Sequence, residues 1–189
     1  LPAKQVAGGM AEVIKYAVIK DPKLFAYLEK NLSRIRDLDP RVMEFIVARC
    51  SAIKAEIVHL DEREEKDIRT ILNFGHTLGH AIETAGKYRG YTHGEAVALG
   101  MLIACDISAH QGLISRETTR RIETLIKEAG LPIKINKKIP IQNIIKSHHY
   151  DKKFQGAKNK FVLIRKIGTP PIKKNIPLKT IQTALLSKI

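Results

Sequence analysis

Residues 95–112, "EAVALGMLIACDISAHQG", are apolar on nearly every face that a helix would present. A helix that is hydrophobic all round is buried, so the rest of the chain must supply elements that pack around it. At about 1.5 Å per residue this segment spans about 27 Å, roughly the diameter of a small domain. The 189 residues are enough for such a core, and the 44% apolar content is that of an ordinary globular protein. No apolar run reaches the roughly 20 residues needed to cross a bilayer, so no membrane partner is expected. The opening "LPAKQVAGGMAEVIKYAVIK" is too interrupted by Lys, Gln and Glu for a secretory signal. It does not begin with methionine and already looks like the interior of something folded, so the chain is expected to be a fragment cut at a domain boundary.

Further helices are expected on both sides of the buried one. Val6, Met10, Val13, Ile14, Ala17 and Val18 follow helical spacing within residues 3–30. Gly8-Gly9 is expected to mark a bend there, or a close approach by a backbone or ligand. "DPKLFAYLEKNLSRIRDL" and "DPRVMEFIVARCSAIKAEIVHL" each begin with Asp-Pro, which suits a helix start. The charged "DEREEKD" (61–67) reads as a loop or a solvated first turn, 69–84 as a helix, and "GKYRGYTHG" (86–94) as a loop. Ser115 caps a helix that stops at Gly130, before Pro132. Then the composition changes: "NKFVLIRKIG" (159–168) reads as a strand and "PLKTIQTALLSKI" as a short final helix. The expected fold is mainly α, a single multi-helix domain with a helical core over 1–133, a basic α+β tail over 134–189, and a small β-hairpin near the C-terminus.

The net charge of +14 is placed unevenly. Residues 134–189 hold 14 Lys/Arg against one acid, Asp151, whereas residues 1–133 are nearly balanced. Such a segment attracts nucleic acid, a membrane surface, a phosphorylated metabolite or an acidic partner alike. Aromatics make up only 5% of the chain and few lie among the tail's lysines, which argues against nucleic acid. Cys50 and Cys105 sit among apolar neighbours without a spacing motif. They read as reduced core thiols and imply a cytoplasmic location.

Chemistry concentrates in "RTILNFGHTLGHAIE" (69–83). His76 and His80 are four apart and share a helical face, a spacing by which a helix can offer two imidazoles to a metal. "HTLGH" lacks the glutamate of the zincin motif, so protease chemistry is a poor reading. Gly75 and Gly79 strip bulk from the same segment, and His93 could add a third ligand. Arg69, Asn73, His76 and His80 would form one polar stripe if 69–84 were one helix. Glu12 and Lys15, three apart in an apolar stretch, are either an exposed helical pair or a partly buried carboxylate and its cation.

Five segments occur in order: "AGGMAEVIKYAVI", "KAEIV" with "DERE", "R-x-x-x-NFGHTLGHAIE", "HGEAVALGM", and "DKK" followed by "FVLI" and "IG". Together they resemble the C-terminal half of the dehydroquinate synthase family, within the sugar-phosphate cyclases. The resemblance implies a metal- and NAD-dependent phosphorus–oxygen lyase of the shikimate pathway. Such an enzyme converts 3-deoxy-arabino-heptulosonate 7-phosphate to 3-dehydroquinate and phosphate by oxidation, phosphate elimination, re-reduction and an intramolecular aldol step. It implies Glu12, His76 and His93 as ligands of Zn2+ or Co2+, displacing the His76–His80 pair that spacing favoured, with His80 facing the substrate. Lys15, Lys54, Arg69 and Asn73, with Lys152 or Lys153, would hold the anionic sugar phosphate. "DEREEKDIR" carries one residue more than the family's "DERExGxR", so its catalytic acidic residue falls on Glu64 or Glu65. Nothing here resembles a Gly-rich dinucleotide loop, so the NAD-binding N-terminal domain is expected to be absent, and with it most residues that hold NAD. The fragment is then expected to bind metal but to lack activity alone. A homodimer of the full-length enzyme is a further partner to consider. The rival readings are another sugar-phosphate cyclase, a metal-dependent polyol dehydrogenase, or a basic nucleic-acid-binding module.

Overall fold

The computed structural model describes residues 2–150 and 159–189. Among them are eight α-helices: α1 (Ala3–Lys20), α2 (Pro22–Arg36), α3 (Pro40–Leu60), α4 (His76–Ala85), α5 (His93–His110), α6 (Arg116–Glu128), α7 (Ile141–Tyr150) and α8 (Leu178–Leu186). A 3-10 segment, Arg69–Asn73, precedes α4, and two short strands, β1 (Lys160–Val162) and β2 (Ile172–Lys174), precede α8.

As its composition requires, α5 is the centre. Val97, Leu99, Met101, Leu102, Ile103, Cys105 and Ile107 are all fully buried, and α1, α4, α6 and α8 pack against it. Thr92 and Glu95 close its start in a reciprocal capping box. His93 is thus its first residue instead of part of the preceding loop. Both Asp-Pro starts are N-caps followed by a first-turn proline. Asp21 accepts from the amides of Lys23 and Leu24, each at 3.0 Å, and Asp39 from those of Arg41 and Val42. Cys105 is buried, Cys50 is half-buried, and neither forms a disulfide. No described helix is long and apolar enough to cross a membrane.

Four local expectations need correction. The helix expected over 69–84 is two pieces, because Gly75 takes φ +80° between the 3-10 segment and α4. A side chain at Gly100 of α5 would place its Cβ 1.9 Å from the Gly75 carbonyl oxygen, so the two backbones meet there directly. Arg69 and Asn73 therefore share no helical stripe with His76 and His80. Gly8-Gly9 does not bend α1, but its close-approach reading holds. A Cβ on Gly94 would lie 2.4 Å from the Gly8 carbonyl oxygen, so α1 crosses α5 at that point. The helix α7 was not anticipated; its sequence "IQNIIKSHHY" is short and β-branched, and contact with α4 stabilises it in place of propensity. Finally, the strand over 159–168 is only β1. It pairs antiparallel with β2, Phe161 opposite Lys173. Beyond it the Leu163 amide still donates to the Pro171 carbonyl at 2.9 Å, while Ile164, buried in the core, donates its amide to Ser108 Oγ of α5 at 3.0 Å.

Candidate metal centre

Three helices deliver one candidate ligand each. Glu12 lies one turn beyond the Gly8–Gly94 crossing on α1, His76 opens α4, and His93, beside Gly94, opens α5. One ligand atom from each of the three lies within 4.8 Å of the other two. Glu12 divides its oxygens between two tasks. Oε2 accepts from the ammonium of Lys15 at 2.7 Å. Oε1 is buried, has no hydrogen-bond partner among the described residues, and stands 3.6 Å from His76 Nε2. That gap is long for a hydrogen bond, yet two atoms bound about 2.0–2.1 Å from one tetrahedral zinc stand about 3.3 Å apart. A buried carboxylate oxygen with no donor is costly unless a cation meets it. The donor set, one carboxylate and two imidazoles, suits zinc or cobalt.

The imidazoles are held in the tautomer that ligation needs. His76 Nδ1 lies 3.2 Å from the Phe74 carbonyl, which can only accept, so Nδ1 carries the proton and Nε2 keeps its lone pair. His93 Nδ1 lies 3.3 Å from each carboxylate oxygen of Glu83, with the same consequence. Burial, reinforced by the nearby Lys15 ammonium, pushes His76 down to about 4, so its ring is neutral near pH 7. Burial also lowers Lys15, against the opposing pull of Glu12.

A profile of the family described as 3-dehydroquinate synthase C-terminal matches residues 9–154. The chain belongs to that family.

Among its relatives, the 3-dehydroquinate synthase of Desulforamulus reducens is 45% identical over 93% of this chain and 49% of its own length. The enzyme of Vibrio atlanticus is 41% identical over 98% of this chain and 51% of its own length. The chain thus spans about half the length of the curated relatives it matches. Of solved structures, 2-deoxy-scyllo-inosose synthase complexed with carbaglucose-6-phosphate, NAD+ and Co2+ aligns with a TM-score of 0.86 and 25% identity over 100% of this chain and 54% of its own. The 2-epi-5-epi-valiolone synthase of Streptomyces hygroscopicus shares the fold with a TM-score of 0.87 and 24% identity, over 99% of this chain and 52% of its own.

Of the other candidates, His80 and Lys15 adjoin the cluster. The His80 ring centre is 5.6 Å from that of His76 and 5.8 Å from that of His93. Among the described residues His76 groups with Glu12 and His93, and His80 with Glu83 and His93. Lys15 is turned onto Glu12 and is almost inaccessible, while Lys54, exposed on α3, is near enough to lower it. Asn73 is half-buried at the end of the 3-10 segment. Arg69 pairs with Glu64, Nε to Oε1 at 3.1 Å, so of the two acidic candidates Glu64 contacts the arginine. In this loop Glu64 and Asp67 both take positive φ. Lys152 and Lys153 lie outside the described residues. Two residues were missed. Asp61 accepts from the amides of Lys66 and Arg69 and folds the loop, and those bonds hold its carboxyl below the usual range. Glu83 holds His93; its signal was a carboxylate in the apolar stretch "GHAIETA", three residues after His80.

Proposed function

We propose that this chain is the metal- and substrate-binding half of a 3-dehydroquinate synthase, acting with an NAD-binding N-terminal domain. The overall reaction is conversion of 3-deoxy-arabino-heptulosonate 7-phosphate to 3-dehydroquinate and phosphate. The observation that carries the reading is the Glu12–His76–His93 cluster with its donorless buried oxygen. Identity of 41–45% to synthases of that name, against 24–25% to other cyclases, favours this substrate over those of the neighbours.

Glu12 Oε1, His76 Nε2 and His93 Nε2 would hold Zn2+ or Co2+. When bound, the metal supplies Lewis-acid polarisation of substrate oxygens, and NAD supplies reversible hydride acceptance. Lys15 fixes Glu12 so that one oxygen only is offered. Arg69 and Lys54 supply positive charge for an anion carrying both carboxylate and phosphate, and Asn73 an amide donor. Glu64, paired with Arg69, would orient that guanidinium toward the substrate. His80, beside the cluster, suits proton transfer or hydrogen bonding to the departing phosphate. The two unpaired thiols suit a reducing cytoplasm.

The test is metal content of the purified chain and its variants after equilibration with zinc. Glu12→Ala, His76→Ala and His93→Ala each lose a stoichiometric ion, and His80→Ala keeps it. Loss with His80→Ala and retention with His93→Ala overturns the ligand assignment. The chain alone is expected to show no synthase turnover, and detectable turnover would refute the requirement for a second domain.

A further inference from the structure

We infer that Glu83 is a positioning residue of the metal centre, fixing the tautomer and direction of His93. The inference rests on the metal reading proposed above and extends it to a residue outside the candidate ligand set. The side chain of His93 is 52% exposed, at the first position of α5, so packing does little to hold its ring. What holds the ring is the Glu83 carboxylate, itself only 10% exposed, with both oxygens 3.3 Å from Nδ1. A buried carboxylate is stable where a donor meets it, and here that donor is the Nδ1–H of His93. The proton on Nδ1 leaves Nε2 as the free lone pair, available to the cluster of Glu12 and His76. Glu83 is in turn anchored by its backbone, whose carbonyl accepts from the Tyr88 amide at 2.8 Å as α4 ends.

The same carboxylate also lies at ligand distance from His80 and His93 together. For one His93 ring to serve an ion on each side it would have to give up its remaining ring proton. The hydrogen-bonded arrangement needs no such loss, and so the positioning role is the better account of the geometry.

The test is titration of the chain with Co2+, read by its visible absorption, for wild type, Glu83→Gln, Glu83→Ala, His93→Ala and His93→Ala combined with Glu83→Gln. The expected result is one Co2+ per wild-type chain, with affinity reduced about 10–100-fold and an altered band shape in Glu83→Ala. Glu83→Gln keeps an oxygen that can accept from Nδ1 and should recover part of the loss. The double variant should be as devoid of Co2+ as His93→Ala alone. If Glu83→Ala fails to fold, Glu83→Gln carries the test by its weaker affinity and altered band shape. Wild-type affinity and spectrum in the Glu83 variants overturns the inference. So does a second equivalent of Co2+ that disappears with Glu83 alone, since that makes it a ligand. If wild type binds no Co2+, the metal reading itself falls, a result distinct from a defect confined to Glu83.

Discussion

Gly94 illustrates how much a single absent side chain can decide. It lets α1 and α5 touch backbone to backbone beside His93, one turn from Glu12. Gly94→Ala would drive a methyl group to 2.4 Å from the Gly8 carbonyl oxygen. We expect a loss of about 3 kcal/mol in denaturant unfolding, together with loss of metal, because the helices carrying two candidate ligands are pushed apart. Gly8→Ala is the control. No atom of another element lies within 4 Å of a Cβ there, and the position is helical. The same unfolding measurement should show it neutral or stabilised by up to about 1 kcal/mol. The doublet signalled in the sequence that something came close, but not what. The partner, Gly94, is remote in sequence and only the packing of α1 on α5 reveals it. Likewise, His93 was legible as a candidate third ligand from its place before a buried helix, whereas Glu83 carried only the weak signal of a carboxylate in an apolar stretch, since its contact with His93 exists only once α4 and α5 are side by side.

Among the elements, the caps were the most legible part. Asp21 does double duty, capping α2 and accepting from Arg49 Nε of α3 at 2.5 Å. Burial alone would raise its carboxyl, but the bonds from Leu24 and Arg49 outweigh that and hold it below the ordinary aspartate range. A carboxyl depressed on folding contributes stability that is present above its unfolded value, near 3.9, and is lost as pH falls through its folded one. Asp21→Ala should therefore cost about 1–2 kcal/mol near pH 7, and the gap from wild type should close as unfolding is measured below about pH 4. What the sequence concealed were elements set by tertiary contact. The break at Gly75 is imposed by α5, and no local signal separates Asn73 from His76 strongly enough to show it. Helix α7 owes its existence to α4.

For the molecule as a whole, the division near residue 133 is one of composition more than of packing. Helix α7 lies on α4 and α8 on α5, and the amide of Gly168 donates to the Val18 carbonyl of α1 at 2.8 Å. We propose that residues 1–189 fold as one cooperative unit, and that a chain ending at residue 133 will lack a single sharp unfolding transition by circular dichroism. Part of the tail's charge has a structural destination. Lys160 pairs with Asp67, and Lys188, nearly buried, lies 2.6 Å from Glu123 and 3.3 Å from Asp106. Those two acids hold Lys188 above the usual lysine range despite its burial. Lys188→Met should cost about 2 kcal/mol in the same unfolding assay, since it leaves two carboxylates facing each other without their cation. Lys134 donates to the Ile189 carbonyl at 3.3 Å.

Glu12, His76 and His93 come from three helices that the chain visits far apart in sequence, two of the residues at the first position of their helices. None of the three can meet the others until α1, α4 and α5 have packed. An ion captured there would work as a clasp on the finished tertiary structure, and its affinity would report how completely that structure has closed. Added zinc should accordingly raise the thermal midpoint by an amount that grows with the logarithm of its free concentration above the dissociation constant. A variant damaged far away, at Gly168 or Lys188, should bind zinc more weakly only to the extent that it populates the unclosed state.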